Sequence, residues 1–359
     1  MYVKKMTLDN FKSYSHLEVE FDKERNYIFG DNSTGKTTIL EAIYFLSLGR
    51  SFLKSSSTSL LKYETNLSKV SLIFNEDNQD HFLEALISKE GKEFYFDEEK
   101  LPSSLKLISK FMTFYFNPEC VFLYKDEPSE RRKLFDIKLS LIDPRYLYCL
   151  SRYKKLLKER NAALSKNYDK DVIDVLRNEL INLSYRLVYE RRKCVAEINT
   201  YLSKIYSSIY GEEKKVKIIY KTTSPLNDDQ EEFINDSLKL FEDNKTVENI
   251  SKTTVIGPHR DNYIFYLEEK DISLYSSQGE NRIAALVTKI ALLNYVKKMT
   301  NRTPVFLLDD ILSDLDSKRQ KNLLEYLNND MQVIITGVSD IKLNNYTTYK
   351  LEQHNLRRI

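Results

Sequence analysis

The sequence predicts an α/β fold that combines a sheet carrying a phosphate-binding loop, an antiparallel β subdomain and an inserted, mainly helical lobe. Two observations predict the sheet. A glycine-rich loop near residue 30 joins an apolar strand to a helix, and a second apolar strand near residue 308 ends in two aspartates. The third observation is a long helical pattern between them. We therefore assign residues 1–115 and 250–359 to a split head and residues 116–249 to the inserted lobe.

Short-range patterns predict the elements of the head. Apolar and acidic residues alternate over 17–21, as in a half-buried strand, and residues 27–29 form a short apolar strand. The spacing of apolar residues predicts a helix over 36–48 that stops at Gly49. Three further apolar runs between residues 70 and 96 are separated by polar turns, which predicts an antiparallel meander.

Helical spacing prevails over residues 129–210. Apolar residues three and four apart form one stripe from Ile173 to Ile205, interrupted by Arg191. This pattern predicts a helix that packs along its length inside a bundle. The acidic stretch over 222–250 predicts a solvated loop and a short helix.

Composition and charge are those of a globular chain. Of the 359 residues, 42% are hydrophobic and 30% are charged, near the average of globular proteins. The chain length suggests two or three domains. The 55 basic and 53 acidic residues nearly cancel, so a nucleic-acid surface depends on local clustering. Three cysteines and four histidines are scattered, without the spacing of a disulfide framework or a zinc site. Signal-peptide patterning and apolar runs of 18 residues are both absent from the sequence, so we expect a cytoplasmic protein.

The loop over residues 30–37 matches the motif G-x-x-x-x-G-K-[ST]. It follows a predicted strand and opens a predicted helix, which is the context that the motif requires. Backbone N–H groups of such a loop bind phosphate oxygens, Lys36 neutralises the β- and γ-phosphates, and the Thr37 hydroxyl is a ligand for Mg²⁺. The candidate nucleotide-binding residues are Gly30, Asn32, Ser33, Thr34, Gly35, Lys36, Thr37 and Thr38.

An apolar strand over residues 304–308 ends in Asp309 and Asp310. We expect Asp309 to hold Mg²⁺ and Asp310 to orient or deprotonate the attacking water. Aspartates at strand ends also cap helices, but the phosphate loop favours the nucleotide site. Lys36 and Asp309 lie 273 positions apart, so a long insert separates the two halves of one predicted site.

A polar turn precedes a predicted helix over residues 283–296. On its own, this turn is typical of an ordinary N-cap formed by Ser276 or Ser277. Because it lies shortly before the carboxylate strand, Ser277, Gln278 and Gly279 are also candidates for a second anion-binding site.

The order of these motifs resembles that of ABC-type ATPases of the SMC-like branch, and within that branch the RecF family. The order is phosphate loop, long insert, S-x-G-[EQ] signature, carboxylate strand and S-x-L-D loop. The resemblance implies an ABC-type ATPase head with an inserted helical lobe. The resemblance spans nearly the whole chain. The matching segments are residues 8–14, 40–43, 49–51, 128–132 (P-S-E-R-R), 160–162, 257–261 (G-P-H-R-D), 277–279 (S-Q-G) and 308–310.

The resemblance implies ATP and Mg²⁺ as cofactors and a site completed by a second copy. Ser277, Gln278 and Gly279 would reach the γ-phosphate bound at Lys36 of the other copy, so that ATP drives formation of a homodimer. The family binds duplex or gapped DNA in an ATP-dependent way and hydrolyses ATP weakly, with stimulation by DNA. It acts with RecR and RecO to load RecA at gaps.

Several positions depart from the pattern of ABC-type ATPases. Asp310 stands where transport-type members usually carry glutamate, which is consistent with slow turnover. Residues 117–119 occupy the region of the usual lid glutamine, and Thr336 is the best match to the position of the switch histidine. Glu280 stands where RecF-like chains often carry glutamine. Lys12 matches a basic residue that touches the nucleotide in SMC-like heads, although a solvated lysine at a strand end fits equally well.

A basic segment over residues 131–160 is the candidate DNA-binding surface. It contains ten basic and three acidic residues, with interleaved tyrosines. Such a surface binds phosphates without reading bases, and we expect Lys154, Lys155 and Lys158 to contribute to it. The alternative is a solvated helix face with structural arginines.

Two other functional classes remain open at this point. The ATP-binding subunit of a transporter would need a membrane-coupling surface and usually lacks this helical insert. An SMC-like ATPase of a nuclease or anti-phage system usually carries an appended nuclease domain, for which the residues after Thr336 leave no room. The group over residues 259–261 (H-R-D) has no accompanying nucleophile, so we expect a structural or nucleotide-proximal role for it.

Overall fold

The strands fall into three sheets within the described residues. The computed structural model describes the chain except for residues 54, 55, 57, 109, 328–330, 342 and 344. The strands are β1 (Tyr2–Phe11), β2 (Tyr14–Glu20), β3 (Arg25–Phe29), β4 (Leu67–Glu76), β5 (Gln79–Ser88), β6 (Lys92–Phe96), β7 (Glu99–Lys100), β8 (Thr113–Phe116), β9 (Val216–Lys221), β10 (Asn262–Leu267), β11 (Lys270–Asp271), β12 (Val305–Leu308), β13 (Val333–Gly337), β14 (Thr347–Glu352) and β15 (Asn355–Arg358).

The helices follow the predicted pattern over 36–48 and 129–210, whereas two helices stand in the acidic stretch where the sequence predicted one short helix. They are α1 (Lys36–Leu48), α2 (Pro128–Ile142), α3 (Pro144–Ser165), α4 (Lys170–Tyr210), α5 (Gln230–Asp243), α6 (Lys245–Ser251), α7 (Ile272–Tyr275), α8 (Gln278–Thr300) and α9 (Ser317–Tyr326). The predicted helix over 36–48 is confirmed, and Gly49 ends it with a φ of 67°. The helix predicted from residue 283 begins earlier, at Gln278. Within the described part of the chain, every helix is too short or too polar to cross a membrane.

By its internal contacts the chain divides into two units. The first comprises residues 1–120, 208–211 and 300–359, and the second comprises residues 121–207 and 212–299. The second unit thus includes residues 250–299, which the sequence assigned to the head. The functional domain boundaries predicted at 115/116 and 249/250 stay a prediction.

The first unit contains a mainly parallel sheet with the strand order β15-β14-β3-β13-β12-β8. Neighbouring strands from β14 to β8 run parallel, and β15 is antiparallel. β12 and β13 are fully buried, as expected for apolar parallel strands covered on both faces. Because parallel strands end at a common edge, Gly30 after β3, Asp309 after β12 and Thr336 near the end of β13 meet there.

The second sheet of this unit is antiparallel, with the order β2-β1-β4-β5-β6-β7. The predicted meander is therefore confirmed as β4, β5 and β6. The buried side of α1, including Ile39 and Ile43, shares one core with residues of both sheets such as Phe74 and Leu307. The helix that follows the phosphate loop is thus held by apolar contacts on its buried side.

The second unit combines helices α2 to α8 with a three-stranded sheet in the order β11-β10-β9. Most of the apolar stripe of α4 is buried, from Leu180 to Ile205. Arg191 interrupts the stripe because it forms a buried ionic cluster. Its guanidinium lies 2.7 Å from Asp136 and 2.6 Å from Asp261, and it donates to the Pro258 carbonyl at 2.7 Å. One buried cation therefore pairs with two buried carboxylates.

Candidate nucleotide-binding site

The loop from Gly30 to Gly35 owes its shape to its glycines. Gly35 has a φ of 105°, and a Cβ there would lie 2.6 Å from the Tyr14 hydroxyl oxygen. A Cβ on Gly30 would lie 2.4 Å from the Leu351 carbonyl oxygen. Within the loop the Thr34 hydroxyl donates to the Asp31 carbonyl at 2.8 Å. Side chains at the two glycines would push the loop away from this path.

Lys36 lies with its ammonium group inside this loop. It donates to the carbonyl oxygens of Gly30 at 2.7 Å and Asp31 at 2.6 Å, and burial lowers its pKa below the ordinary value. Lys36, Thr37 and Thr38 form the first turn of α1, where backbone N–H groups have no partner within the helix. A lysine ammonium beside these N–H groups is the donor set that binds phosphate.

Asp309 accepts hydrogen bonds from three hydroxyl groups. Its Oδ1 accepts from Thr37 at 3.1 Å and from Thr336 at 2.6 Å, and its Oδ2 accepts from Tyr115 at 3.1 Å. The structure thus brings together Thr37 and Asp309, which the sequence predicted as metal ligands. Hydroxyl and carboxylate oxygens are the ligands that Mg²⁺ prefers, so this pair fits the ion.

Asp310 adopts a left-handed backbone conformation with a φ of 46°. Its N–H points at Thr336, 3.1 Å from both the carbonyl oxygen and the hydroxyl oxygen of that residue. Thr336 therefore contacts both aspartates. The sequence had indicated Thr336 only through its match to the position of the switch histidine.

Lys12 pairs with Glu41, one helical turn after Thr37 on α1. The carboxylate of Glu41 is completely buried, and its other oxygen accepts from the Ser51 hydroxyl. The sequence left two interpretations of Lys12, a nucleotide contact or a solvated lysine at a strand end. The ion pair with Glu41 argues against a simple solvated lysine. A contact between Lys12 and nucleotide stays a prediction.

The turn before α8 is built as a capping box in the second unit. The Ser277 backbone N–H and hydroxyl both donate to the Glu280 carboxylate, at 2.9 and 3.0 Å, and the Glu280 N–H donates back to Ser277 at 3.2 Å. The Ser277 hydroxyl thus caps α8, whereas Gln278 and Gly279 are exposed in its first turn. A contact of these residues with nucleotide stays a prediction.

The basic segment is less exposed than its sequence suggests. Lys154, Lys155 and Lys158 are exposed on one face of α3, opposite its buried residues. Arg131 and Arg160 are buried instead. Arg131 donates to Leu123, Asp126 and Asn262, and Arg160 is paired with Glu248 at 2.6 Å and donates to Thr254. Lys138 is also buried. The surface that could meet DNA is therefore smaller than the ten basic residues of the sequence.

His259 has a structural role within the second unit. One ring nitrogen lies 2.7 Å from the Tyr153 hydroxyl, and the other lies 2.9 Å from the Thr254 carbonyl oxygen. A neutral ring satisfies both partners, and burial lowers the pKa of His259 from 6.5 to about 4. The neighbouring Asp261 belongs to the Arg191 cluster.

Sequence reasoning did not find Tyr115 or assign a role to Glu41. Glu41 carried a signal, because it is an acidic residue within an otherwise apolar face of α1. Tyr115 carried none, since an aromatic residue in a short apolar strand is ordinary core. Only the pairing of β8 with β12 reveals its contact with Asp309.

The fold and the site define the class of the protein: an ATPase head of the SMC-like branch of ABC-type ATPases. The family model for the RecF/RecN/SMC N-terminal domain matches residues 2–354. The chain belongs to this family, and within it to the RecF proteins.

Individual relatives support this assignment. The chain is 34% identical to the DNA replication and repair protein RecF of Clostridium novyi (strain NT) over 349 residues, covering 96% of this chain and 95% of the relative. It is 30% identical to the RecF of Halalkalibacterium halodurans over the full length of both chains.

Solved structures agree with the sequence relatives. A structure described as the recombination mediator protein RecF-ATPrS in the RecFOR pathway superposes with a TM-score of 0.92 at 29% identity, covering 100% of this chain and 98% of that chain. An SMC head bound to the C-winged helix domain of ScpA superposes with a TM-score of 0.58 at 14% identity, covering 100% of this chain and 97% of that chain. The second match shows the fold alone.

Proposed function

We propose that this chain is an ATP-dependent DNA-binding protein of recombinational repair. The observation that carries the proposal is that the Lys36 ammonium, the Thr37 hydroxyl and the Asp309 carboxylate line one site. The Thr37 hydroxyl lies 3.1 Å from Asp309 Oδ1. The RecF relatives named as DNA replication and repair proteins, and the RecF structure in the RecFOR pathway, support the same role.

The residues of the site suit a bound ATP·Mg²⁺. Lys36 and the first N–H groups of α1 hold the phosphates, and Thr37 with Asp309 supplies oxygen ligands. When bound, Mg²⁺ neutralises charge on the phosphate oxygens. Asp310 orients the attacking water and accepts its proton, and its carboxylate reaches less far than that of glutamate, so hydrolysis is slow.

The turn before α8 completes the nucleotide-binding site of a second copy of the chain. Ser277, Gln278 and Gly279 lie at the N-terminus of α8, where the helix dipole favours an anion. Beside them, Leu274 and Tyr275 are 70% and 74% exposed, and a homodimer formed on ATP would cover these apolar side chains. Loss of the γ-phosphate removes the ligand that joins the two copies.

The exposed lysines of α3 bind the phosphate backbone of duplex or gapped DNA. Lys154, Lys155 and Lys158 share a face through i, i+3 and i, i+4 spacing. The DNA-bound dimer recruits RecR and RecO, which load RecA, and slow, DNA-stimulated ATP hydrolysis resets the cycle.

The first experiment titrates labelled gapped duplex, with plain duplex and single strand as controls. It compares ATP, ADP and no nucleotide for the wild type and Lys36→Met. We expect tight binding of DNA that contains duplex only with ATP, and its loss in the variant. Binding that ignores the nucleotide would contradict the proposed role and favour an SMC-like ATPase with another partner.

A second experiment separates DNA binding from ATP binding. Charge reversal at Lys154, Lys155 and Lys158 should weaken DNA binding and reduce its dependence on salt, because about three phosphate contacts are lost. A matched triple reversal at the exposed Lys215, Lys221 and Lys270 makes the same change in net charge elsewhere in the second unit. Equal DNA affinity of the two variants would remove the α3 face from the proposal.

A further inference from the structure

The hydroxyl of Tyr115 is hydrogen-bonded to the carboxylate that the proposed site uses for Mg²⁺. It donates to Asp309 Oδ2 at 3.1 Å, and Tyr115 is 8% exposed. The contact follows from strand pairing, because β8 and β12 are parallel neighbours with Tyr115 opposite Leu307. The Asp309 N–H also donates to the Phe116 carbonyl at 2.8 Å. Backbone and side chain of one strand therefore hold Asp309 together.

Two aromatic rings hold the ring of Tyr115, and with it the hydroxyl, in place. Phe52 stacks on Tyr115 with ring centroids 3.7 Å apart and an angle of 13° between the planes. Tyr44 of α1 packs against both rings, at 5.4 Å from Phe52 and 5.8 Å from Tyr115. A ring packed on its face and side cannot swing away from Asp309 without displacing its neighbours.

The two oxygens of Asp309 have different partners. Oδ1 accepts from Thr37 and Thr336, and Oδ2 accepts from Tyr115. The Thr37 hydroxyl is itself a predicted metal ligand, and it would bind the ion through an oxygen lone pair while its O–H still donates to Oδ1. Thr37 and Thr336 hold one oxygen of the carboxylate and Tyr115 holds the other, so the bond from Tyr115 limits rotation of the carboxylate plane.

We propose that Tyr115 is a positioning residue for Asp309, setting the orientation in which this carboxylate receives Mg²⁺. The inference rests on the proposed function, since it assumes that nucleotide and Mg²⁺ bind at this site. Hydrogen bonds to a ligating carboxylate commonly change metal affinity by about 10- to 100-fold when they are removed. A ring that served only for packing would leave the affinity for Mg²⁺ unchanged once its hydroxyl is lost.

The test is a Mg²⁺ titration of Tyr115→Phe, which keeps the ring and removes only the hydroxyl. Binding of a fluorescent ATP analogue is measured in EDTA and over a range of Mg²⁺ concentrations, and it requires no hydrolysis. We expect the Mg²⁺ midpoint to rise about 10-fold, with binding in EDTA unchanged and wild-type affinity restored at saturating Mg²⁺. Tyr44→Phe is the matched control, because it removes a hydroxyl from the same ring cluster and leaves the Tyr115–Asp309 bond in place.

The outcomes separate this inference from the function on which it rests. If the wild type binds no ATP analogue, the proposed function itself is wrong. If the wild type responds to Mg²⁺ and Tyr115→Phe has the same midpoint, Tyr115 does not position Asp309. A Tyr115→Phe protein that binds weakly in EDTA and at every Mg²⁺ concentration also overturns the inference, because its defect would be structural.

Discussion

The ammonium group of Lys12 is paired with a Glu41 carboxylate that is completely buried, whereas the Lys12 side chain is 20% exposed. The carboxylate also accepts from Ser51 in the segment after α1. Glu41 therefore ties the turn between β1 and β2 to the segment that leaves α1. If Lys12 moved into solvent, the Glu41 carboxylate would stay buried without its cation, which is unfavourable. The pair therefore holds Lys12 beside the first turns of α1.

The first prediction concerns the stability of this pair. Lys12→Met leaves the Glu41 charge buried without its cation and should lower the free energy of unfolding by about 3 kcal/mol. The double variant Lys12→Met/Glu41→Leu removes the charge as well and should recover most of that loss. Urea unfolding of the wild type, both single variants and the double variant measures the coupling. Strictly additive losses would contradict the pairing.

A second prediction concerns Arg191 in the second unit. Arg191→Met leaves Asp136 and Asp261 buried without a cation, which should cost about 3–5 kcal/mol of unfolding free energy. Arg191→Lys keeps the charge, but one ammonium cannot reproduce the forked contacts of the guanidinium with both acids and the Pro258 carbonyl. We expect it to recover less than half of the loss in urea unfolding. Full recovery by lysine would mean that charge alone matters.

The third prediction is a pH dependence that originates at His259. Burial lowers its pKa to about 4, below the ordinary value of 6.5. As the pH falls from 6.5 towards 4, the unfolded chain binds a proton that the folded chain does not, so stability decreases. The full effect is about 3 kcal/mol.

The control for this prediction is His259→Gln, whose amide can donate to Thr254 and accept from Tyr153. Its unfolding free energy should depend less on pH between 6.5 and 5 than that of the wild type. Carboxylates titrate in both proteins, so the difference between the two curves isolates the histidine. Parallel curves would show that His259 is not buried in its neutral form.

The fourth prediction separates the two roles of Ser277. Ser277→Ala removes the cap of α8 and should cost about 1 kcal/mol in stability, and it should abolish the proposed ATP-dependent dimer. Glu280→Gln keeps the capping box but removes the negative charge beside the Ser277 N–H, so its dimer should form at lower ATP concentration. Sedimentation at several ATP concentrations measures both effects. A Glu280→Gln protein that needs more ATP than the wild type would contradict this account.

The sequence was sufficient wherever a local motif determines both ends of an element. α1 begins and ends at the predicted residues, because Gly35 and Gly49 mark its two ends with left-handed conformations. The convergence of Thr37 and Asp309 was also predictable, since each follows a strand of a parallel sheet.

Contacts that depend on strand order or burial were not predictable. The place of Tyr115 next to Asp309 requires β8 to pair with β12, and residues 113–116 carry no mark of that pairing. The sequence left open whether Arg131 and Arg160 are surface or structural cations, and each forms hydrogen bonds inside the second unit. A charged residue has the same letter whether its partner is a phosphate or a buried carboxylate.

The strand order of the parallel sheet also limits when this sheet can form during synthesis on the ribosome. The side chain of Gln332 bonds the backbone of Val3 across 329 positions, and β3 lies between β13 and β14. At about 5–20 residues per second, roughly 15 to 65 s separate the translation of these partners. All strands of the antiparallel sheet have been translated once Lys100 is added. By contrast, β3 cannot pair with its neighbours until β13 and β14 have been translated near the end of the chain. The pocket for the phosphates is therefore among the last parts of the nascent chain to form.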